Sequence, residues 1–470
     1  MIDWETTEQL TALTHLDGRN SHKLTALRRY FSEFAWMKMR LSVIVSYTKS
    51  IASELTGKSL SRADDRKFSS LVDTFSLTEA RKVVQLEKSV NHDLKALELY
   101  CASRLKGSHP ASPAGGLSRL TPFINLGLGS EDINSMAFAM LLKKSREEVL
   151  LPAIREIVDL LVKFASKEKE TIMVARTHGQ PANVTTFGKE IAVPLSRLCD
   201  EVELFQSMTF QAKCSGEVGS YQAFLGVDPS LDAIGFTDRF IHSLGLVSSA
   251  VSTQIAPYDS LVRYLQSLYR INSILLDLTK NMWLYVLLGY LKVKKVDAEV
   301  GSSGMPHKVN PIYFEGAEGG LEMANGIIEI FCRKLPVNRL QRDFSDSTMR
   351  RNVVTPLALG FLSYQSIATA LERIEVNTDT IAEDLNSHAE VWTETVKTYG
   401  TIRGIGDMYE RLKRATRGRV LSQRDLQNLI TGLPLKETEK QELMSICRGQ
   451  ENPFPARIVS EVLKRAKKIL

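Results

Sequence analysis

The sequence has few cysteines, no long apolar segment and no strong excess of charge of either sign. Its five cysteines include no pair at CxxC spacing, and an odd number argues against a disulfide framework, so a reducing compartment is expected. The longest nearly uninterrupted apolar run, residues 282–291, is about half the roughly 20 residues that a membrane span needs, and it predicts a buried helix. Because no basic segment followed by an apolar core opens the chain, we expect a cytoplasmic protein without membrane attachment.

Strong compositional bias is also missing. A net charge of +6 over 470 residues is too weak to be a nucleic-acid signature, so no nucleic-acid partner is expected. Hydrophobic residues at 43% and charged residues at 24% exclude disordered and fibrous classes. The length exceeds a typical domain about threefold, which predicts two or three cooperating units.

Helical periodicity covers most of the chain, and the strand-helix alternation of a parallel sheet is missing. Apolar residues recur at three- and four-residue spacing in the segments 133–164, 185–213, 259–291, 312–331 and 356–374. These patterns predict a mainly α fold with a bundle of long helices.

A loop rich in glycine, proline and serine at residues 107–116 interrupts the helical pattern and predicts a linker. After residue 374 the apolar stretches shorten and the charge density rises, which indicates a smaller helical unit. We therefore expect an N-terminal helical domain at 1–118, a central long-helix domain at 119–375 and a C-terminal helical domain at 376–470.

A second loop of unusual composition lies at residues 301–311, GSSGMPHKVNP. Two glycines and two serines hold a helix poorly, and an Asn-Pro step ends the loop before a new helix. The loop offers hydroxyls at Ser302 and Ser303, an ammonium at Lys308 and an amide at Asn310, groups that suit an anionic intermediate. From composition alone, an ordinary polar loop is the alternative.

Residues 175–190, ARTHGQPANVTTFGKE, contain a single histidine, His178. Taken alone, His178 is compatible with a structural role. Its neighbours are nevertheless unusually polar for the beginning of a long helix, which makes the segment a candidate for chemistry.

Residues 130–134, SEDIN, are typical of a helix start, with Ser130 expected as the N-cap and the acids complementing the helix dipole. A helix N-terminus also binds anions, so capping and ligand binding are compatible here. Residues 91–98, NHDLKALE, are a second possible helix start, with Asn91 as its cap. The charged run at residues 341–352, QRDFSDSTMRRN, would ordinarily be a solvated face.

Together these segments resemble the fumarase and aspartase superfamily. The loop at 301–311 fits the pattern Gly-Ser-Ser-x-Met-Pro-x-Lys-x-Asn-Pro at every fixed position. Within the superfamily, a histidine at the position of His307 resembles the adenylosuccinate lyase family or the cycloisomerase branch. The Arg-Thr-His-x-Gln-Pro-Ala block around His178 resembles the adenylosuccinate lyase family. The resemblance runs from about residue 17 to residue 352 in the expected order.

The resemblance implies a three-domain fold and a homotetramer in which each active site draws on three subunits. It also implies elimination of fumarate from a succinylated nucleotide, without a metal or an organic cofactor. His178 is expected to be the general acid and Ser302 the general base. Substrate contacts are expected from Arg19, Asn20, Asn91, His92, Asp93, Gly129, Ser130, Gln254, Ser303, Lys308, Asn310, Arg342, Ser347 and Arg351. Of these, Arg342 and Arg351 suit a phosphate group, because a guanidinium can bind it through two parallel hydrogen bonds.

Four positions depart from the family pattern. Asn20 stands for a tyrosine, Asn125 for a histidine, Gly129 for a threonine and Glu217 for a small apolar residue. These departures leave open a sister lyase or cycloisomerase with another substrate. A catalytically silent homologue or a basic RNA-binding helical protein is a further alternative.

Overall fold

The computed structural model describes residues 8–106, 116–249, 251–296, 304–305, 307–448 and 452–470, and the described chain is mainly α-helical. This confirms the predicted fold class. The predicted linker at 107–116 lies outside the described residues except for Gly116.

The residues form two compact units. The first unit comprises Met1–Pro152, Phe205–Tyr269 and Met323–Leu362, and the second comprises Ala153–Leu204, Arg270–Glu322 and Ser363–Leu470. The division into three domains at residues 118 and 375 stays a prediction.

The helices preceding residue 146 are α1 (Thr25–Phe31), α2 (Glu33–Thr56), α3 (Arg62–Asp73), α4 (Leu77–Val90), α5 (Asp93–Lys106) and α6 (Ser130–Ser145). A π-helical turn, Arg146–Leu150, follows α6. The later helices are α7 (Leu151–Lys167), α8 (Phe187–Ser207), α9 (Gln222–Val227), α10 (Ala233–Ser243), α11 (Asp259–Leu287), α12 (Ile312–Lys334), α13 (Ser345–Arg351), α14 (Val354–Glu372), α15 (Thr378–Ser387), α16 (Thr393–Ile402), α17 (Met408–Thr416), α18 (Gln423–Thr431), α19 (Glu437–Ile446) and α20 (Phe454–Ala466).

Short strands pair two by two in the described residues. They are β1 (Ile172–Thr177), β2 (Gln180–Thr186), β3 (Gln211–Ala212), β4 (Val247–Ser248), β5 (Leu291–Val293) and β6 (Ile374–Val376). The pairs β1–β2 and β5–β6 are antiparallel, whereas β3–β4 is parallel.

Two helix predictions need correction. Helix α8 begins at Phe187 and ends at Ser207, because the β-branched residues before it pair with β1 in a hairpin. The apolar run at 282–291 is helical only to Leu287, and Trp283 and Leu287 are 38% and 67% exposed, so it is not a helix buried within this chain.

Helix α2 organises the first unit. It begins where Ser32 Oγ accepts a hydrogen bond from the Ala35 N–H at 3.2 Å, and it ends at Gly57, whose φ of 66° is left-handed. Its buried face packs against α6, where Ile133 and Met136 are fully buried. This packing places the beginning of α6 beside α2.

In the second unit, the β1–β2 hairpin packs on the C-terminal helices. Val174 of β1 is 1% exposed and lies in one apolar cluster with Trp392 and Val396. The hairpin is therefore anchored along its length by apolar burial.

One stretch, Ser345–Glu372, is long and apolar enough by composition to cross a membrane, with a mean hydropathy of 1.3. It comprises α13 and α14, and 67% of the apolar window is buried inside the chain. A core helix of a compact unit has the same properties, so the stretch is weak evidence for a membrane span.

Candidate active site

A cavity of about 300 Å³ opens in the first unit where α2, the start of α5, the start of α6 and α13 meet. Its walls combine aromatic rings with a few charged groups, as is common in small-molecule pockets. The lining includes Trp36, Arg40, His92, Asp93, Ser130, Glu131, Asn134, Phe138, Arg342, Phe344, Ser347, Arg350 and Arg351. Three of the motifs found in the sequence, at 91–98, 130–134 and 341–352, therefore meet at one cavity.

Arg350 and Glu131 form a buried ion pair in the cavity wall. Arg350 donates to both Glu131 carboxylate oxygens at 2.7 and 3.2 Å, and the side chains are only 9% and 5% exposed. Burial alone raises the pKa of Glu131, but Arg350 and Arg342 outweigh it and lower the pKa to about 2. Glu131 is therefore ionised at neutral pH, and Arg350 has little charge left to offer a ligand.

Arg40 and Asp93 form a second pair at 2.9 Å, with Arg40 4% and Asp93 29% exposed. Burial of Asp93 raises its pKa, whereas Arg40 and the Leu94 N–H lower it, and the net shift is downward. The Arg40 guanidinium also lies 4.4 Å from the centre of the Trp36 ring. These contacts fix the start of α5 against α2.

Arg342 and Arg351 form longer ion pairs than Arg350 does. Arg342 makes three long contacts of 3.3 Å, to Glu131, Asp346 and the side-chain oxygen of Gln254. Arg351 is 70% exposed, and its ion pair with Asp93 is 4.0 Å long. Both guanidinium groups, with the buried Ser347 beside them on α13, can bind an anionic ligand.

The N-cap of α6 is Gly129, and Ser130 is the first helical residue, so the expected Ser130 cap was wrong by one position. Glycine has no side-chain oxygen to cap with. The Gly129 N–H instead donates to Asp132 Oδ2 at 2.7 Å, which closes the turn from inside the helix. Ser130 lines the cavity, whereas Gly129 lies just before it.

Asn91 ends a helix and does not begin one. It is the left-handed C-cap of α4, with φ 51°, and its N–H donates to the Glu87 carbonyl at 2.7 Å. His92, the residue before α5, caps that helix instead, because its Nδ1 accepts from the Lys95 N–H at 3.2 Å. His92 and Asp93 line the cavity, but Asn91 is not in its lining.

His178 lies in the second unit, at the tip of the β1–β2 hairpin. His178 and Gly179 form a two-residue turn and have φ values of 53° and 75°. Positive φ at both central residues is typical of the type I′ turn that matches the twist of a hairpin. A histidine in the left-handed region is uncommon, and here it presents an exposed imidazole at the hairpin tip.

A polar cluster within the second unit holds the hairpin close to its tip, two residues before His178. Arg176 donates to both Asp384 oxygens at 2.6 and 2.8 Å and to the Tyr290 hydroxyl at 2.8 Å. Tyr290 also donates to Asp384. Burial raises the pKa of Asp384, but Arg176 and Tyr290 outweigh it and lower the pKa. Arg176 thus holds the hairpin next to the turn, whereas the turn exposes the side chain of His178.

The loop at 301–311 is described in part. Ser302 and Ser303 lie outside the described residues, so their predicted roles remain predictions. Lys308 is exposed, and its N–H donates to the Met305 carbonyl at 3.1 Å. Asn310 is partly buried just before α12.

The cavity lining also leaves out the predicted contacts Arg19, Asn20 and Gln254 and the departure Asn125. Arg19 is exposed, and Asn20 contacts His15 Nδ1 at 2.9 Å through its amide, both before α1. Asn125 donates to Glu98 Oε1 at 2.7 Å, while its own Oδ1 is buried without a hydrogen-bond partner among the described residues.

Sequence reasoning missed Trp36, Arg40, Glu131 and Arg350, which line the cavity. Trp36 and Arg40 are four residues apart and so share a face of α2, a signal visible in the sequence but without indication of its partner. Glu131 and Arg350 are sequence neighbours of the predicted contacts Ser130 and Arg351. Their positions on the helix surface decide whether these side chains form a buried ion pair or face a ligand.

Comparison with known families gives two matches along the chain. Residues 18–326 match a family model described as lyase. Residues 338–450 match a model described as adenylosuccinate lyase C-terminal. Together the two matches include all of the segments that compose the cavity and the hairpin.

Curated relatives extend over almost the whole chain. An adenylosuccinate lyase of Legionella pneumophila (strain Corby) is 37% identical over 440 residues, covering 93% of this chain and 95% of the relative. The adenylosuccinate lyases of Haemophilus influenzae and Escherichia coli (strain K12) are 35% and 34% identical with the same coverage.

Solved structures share the fold at low identity. A fumarate lyase from Mesorhizobium sp. BNC1 has a TM-score of 0.73 at 16% identity, over 93% of this chain and 97% of that one. A 3-carboxy-cis,cis-muconate lactonizing enzyme from Pseudomonas putida has a TM-score of 0.72, also at 16% identity, over 94% and 97%. These neighbours confirm a mainly α fold of the fumarase and aspartase type.

Proposed function

The chain belongs to the adenylosuccinate lyase family, and on that premise we propose how its residues carry out the reaction. The protein is a lyase that eliminates fumarate from adenylosuccinate and releases AMP, a step of purine nucleotide biosynthesis. We extend this to the succinylated aminoimidazole carboxamide ribotide, because its cleavage breaks the same kind of C–N bond. Neither cleavage requires oxidation or reduction, so we expect no cofactor.

The cavity of the first unit binds the nucleotide part of the substrate. The observation that supports this most is that two arginines whose ion pairs are 3.3 Å or longer, Arg342 and the 70% exposed Arg351, line the cavity with the Ser347 hydroxyl. A phosphate dianion needs fixed cations and hydroxyl donors. The rings of Trp36 and Phe344 provide apolar surface for the base and ribose.

The reaction removes a proton from the carbon beside a carboxylate and then breaks the C–N bond. The first step gives a dianionic carboxylate form, and the electrons of the broken bond go to the amino nitrogen, which needs a proton. Ser302 is the proposed base, supported by the resemblance of its loop. His178 is the proposed acid, supported by the turn that exposes its imidazole.

The succinyl carboxylates and the developing negative charge are held by Lys308, Asn310, Ser303 and Ser130. Ser130 stands at the beginning of α6, where free helix N–H groups favour an anion. Lys308 contributes an exposed ammonium. Such fixed donors stabilise charge that forms during the reaction.

We also assign contacts with the substrate to Arg19, Asn20, Asn91, His92, Asp93, Gly129 and Gln254, on the basis of the resemblance. His92, Asp93 and the Arg342 partner Gln254 are the members that the geometry supports. The others rest on their motifs alone.

The proposed assembly is a homotetramer with shared active sites, working in the cytoplasm without nucleic acid or membrane as a partner. Apolar side chains on α11 support the assembly, because Trp283, Leu284 and Leu287 are 38%, 47% and 67% exposed in the single chain. A contiguous apolar stripe usually faces a partner. Leu287→Glu should give smaller particles by size exclusion with light scattering, and an unchanged particle mass would contradict this interface.

The reaction is tested by following the ultraviolet absorbance of adenylosuccinate mixed with purified protein. Fumarate release is expected, with turnover lowered about 10²- to 10⁴-fold in Ser302→Ala if general base catalysis is its role. Ser59→Ala, at an exposed loop of the first unit, is the matched control. Near-normal turnover in Ser302→Ala contradicts the base assignment. Equal saturation by the substrate lacking its phosphate contradicts the role of Arg342 and Arg351.

A further inference from the structure

Glu217 occupies space that a side chain at position 129 would need. A Cβ built on Gly129 would overlap Glu217 Oε2, and it would lie 2.8 Å from the Glu217 carboxyl carbon and 3.0 Å from Glu217 Cα. Distances below 3.0 Å are incompatible with normal packing. The two departures at 129 and 217 are therefore one structural change, in which a carboxylate from one segment replaces a side chain of another.

A buried clamp holds the Glu217 backbone in this position. Asp132 Oδ1 accepts from Lys213 Nζ at 2.7 Å and from the Ser215 N–H at 2.9 Å, while its Oδ2 accepts from the Gly129 N–H. Lys213 also donates to the Gly216 carbonyl at 2.7 Å, and neither Lys213 nor Asp132 is exposed at all. Because one carboxylate holds both segments, the 217 backbone cannot withdraw to accommodate a larger residue at 129.

The Glu217 carboxylate is connected to the cavity. Gln254 donates to Glu217 Oε2 at 3.4 Å through its side-chain nitrogen, and its side-chain oxygen accepts from Arg342 at 3.3 Å. Arg342 lines the cavity, and so does Ser130, the residue next to Gly129. A negative charge thus stands beside Gly129, the neighbour of the Ser130 that the proposed function assigns to a carboxylate of the succinyl group.

We propose that Glu217 is a specificity-determining residue that competes, as an internal carboxylate, with the succinyl carboxylate for the position beside Gly129 and Ser130. The proposal rests on the proposed function, since it presumes that a dicarboxylate ligand binds there. Glu217 is exposed and its side chain can rotate away, so it weakens binding of the dicarboxylate part without blocking it. Of the groups proposed to bind the phosphate, Arg342 is linked to Glu217 through Gln254, whereas Arg351 and Ser347 are not part of that chain of contacts, so binding of the nucleotide part should change less than binding of the dicarboxylate part.

The test compares three variants with the wild type. They are Glu217→Gln, Gly129→Thr and a double variant that carries both Gly129→Thr and Glu217→Ala. Calorimetry measures binding of fumarate and of AMP, and steady-state kinetics measure KM and kcat for adenylosuccinate. Removing the like charge should tighten fumarate binding and lower KM about threefold to tenfold in Glu217→Gln, with kcat and AMP binding close to wild type. Asp73→Asn, which removes an exposed acid elsewhere in the first unit, is the control for net charge.

Gly129→Thr alone should raise KM and lower the melting temperature, because its Cβ would overlap the Glu217 carboxylate and lie 3.0 Å from Glu217 Cα, and Glu217→Ala in the same chain should recover the part of both effects that the carboxylate causes. If the affinity for fumarate is unchanged in Glu217→Gln, the proposal is overturned. It is also overturned if the affinity for AMP increases as much as the affinity for fumarate. A wild-type protein that binds fumarate but releases none from adenylosuccinate contradicts the proposed function instead, and the calorimetric comparison still decides the role of Glu217.

Discussion

In the cavity of the first unit, side chains are held by other side chains, whereas at the hairpin tip of the second unit the backbone conformation positions His178. Glu131, Arg350, Arg40 and Asp93 are fixed by charge pairing around the cavity. His178 is placed by a left-handed turn on an anchored hairpin. The comparison teaches that charge pairing can hold the walls of a cavity rigid, whereas the proposed proton donor is presented by the backbone of an exposed turn.

The largest expected effect is on the hairpin side. His178→Ala should lower kcat about 10²- to 10⁴-fold, the usual contribution of a general acid. The melting temperature should not change, because the side chain is exposed. The measurement is turnover with adenylosuccinate, with His242→Ala on α10 as an exposed control. A normal kcat would remove His178 from the mechanism.

On the cavity side, the largest effect is on folding. Glu131→Ala leaves Arg350 buried without its partner and should lower the free energy of unfolding by about 3–5 kcal/mol. Denaturant unfolding followed by circular dichroism measures this change. Glu461→Ala, which breaks an exposed pair with Lys464 in the second unit, should leave the unfolding midpoint unchanged. Equal effects of the two variants would contradict the difference between the regions.

The same ion pair predicts a pH dependence. The pKa of Glu131 falls from 4.5 to about 2 on folding, so its contribution to stability is complete above pH 4.5 and is lost as the pH falls through 2. The shift corresponds to about 3 kcal/mol. The difference in unfolding free energy between wild type and Glu131→Gln should therefore shrink below pH 4.5. A difference independent of pH would show that the charge is not what stabilises the cavity wall.

Loss of a ligand contact in the cavity should have a smaller effect. Arg351→Ala removes a charge-assisted contact to phosphate and should raise KM about tenfold or somewhat more, with a smaller change in kcat. AMP inhibition should weaken and fumarate inhibition should not. Arg66→Ala, an exposed arginine on α3, is the control. Unaltered AMP inhibition would place the phosphate elsewhere.

The smallest expected effect concerns the backbone of the hairpin turn, as distinct from the His178 side chain that the turn carries. Gly179 and Gly57 both have positive φ and enough open space for a Cβ atom, so alanine at either should cost about 1 kcal/mol of stability. Only Gly179→Ala should also lower kcat, because it disturbs the turn that carries His178. Thermal unfolding and turnover of both variants check this, and equal kcat in the two would mean that the turn conformation has no part in catalysis.

Much of the fold followed from hydrophobic periodicity, since α11, α12 and α14 lie where the apolar pattern recurs. The hairpin did not follow from it. Val184, Thr185 and Thr186 are β-branched but directly precede a helix, so only their pairing with β1 decides that they form a strand. Cap positions also failed, at Asn91 and Ser130, because a cap depends on the local φ of one residue. Such angles are not encoded by residue type alone.

For the site, motifs identified which residue types approach the ligand but not which ones are free to bind it. Arg350 and Arg351 are neighbours in the sequence, yet one is buried against Glu131 and the other is 70% exposed. The roughly 100° rotation between successive helical residues separates them. Glu217 likewise was visible as a departure, but its contact with Gly129 requires residues far apart in sequence to be seen together.

The Asp132 clamp has a consequence for how substrate preference can change. It contacts the 129 and 215–216 segments only through backbone groups and Lys213, so it uses no side-chain atom of residue 129 or 217. Side-chain replacements at 217 therefore leave the hydrogen bonds of the clamp in place while position 129 stays glycine. Directed evolution toward other dicarboxylates can vary residue 217 first, because the contacts that hold its backbone do not depend on its side chain.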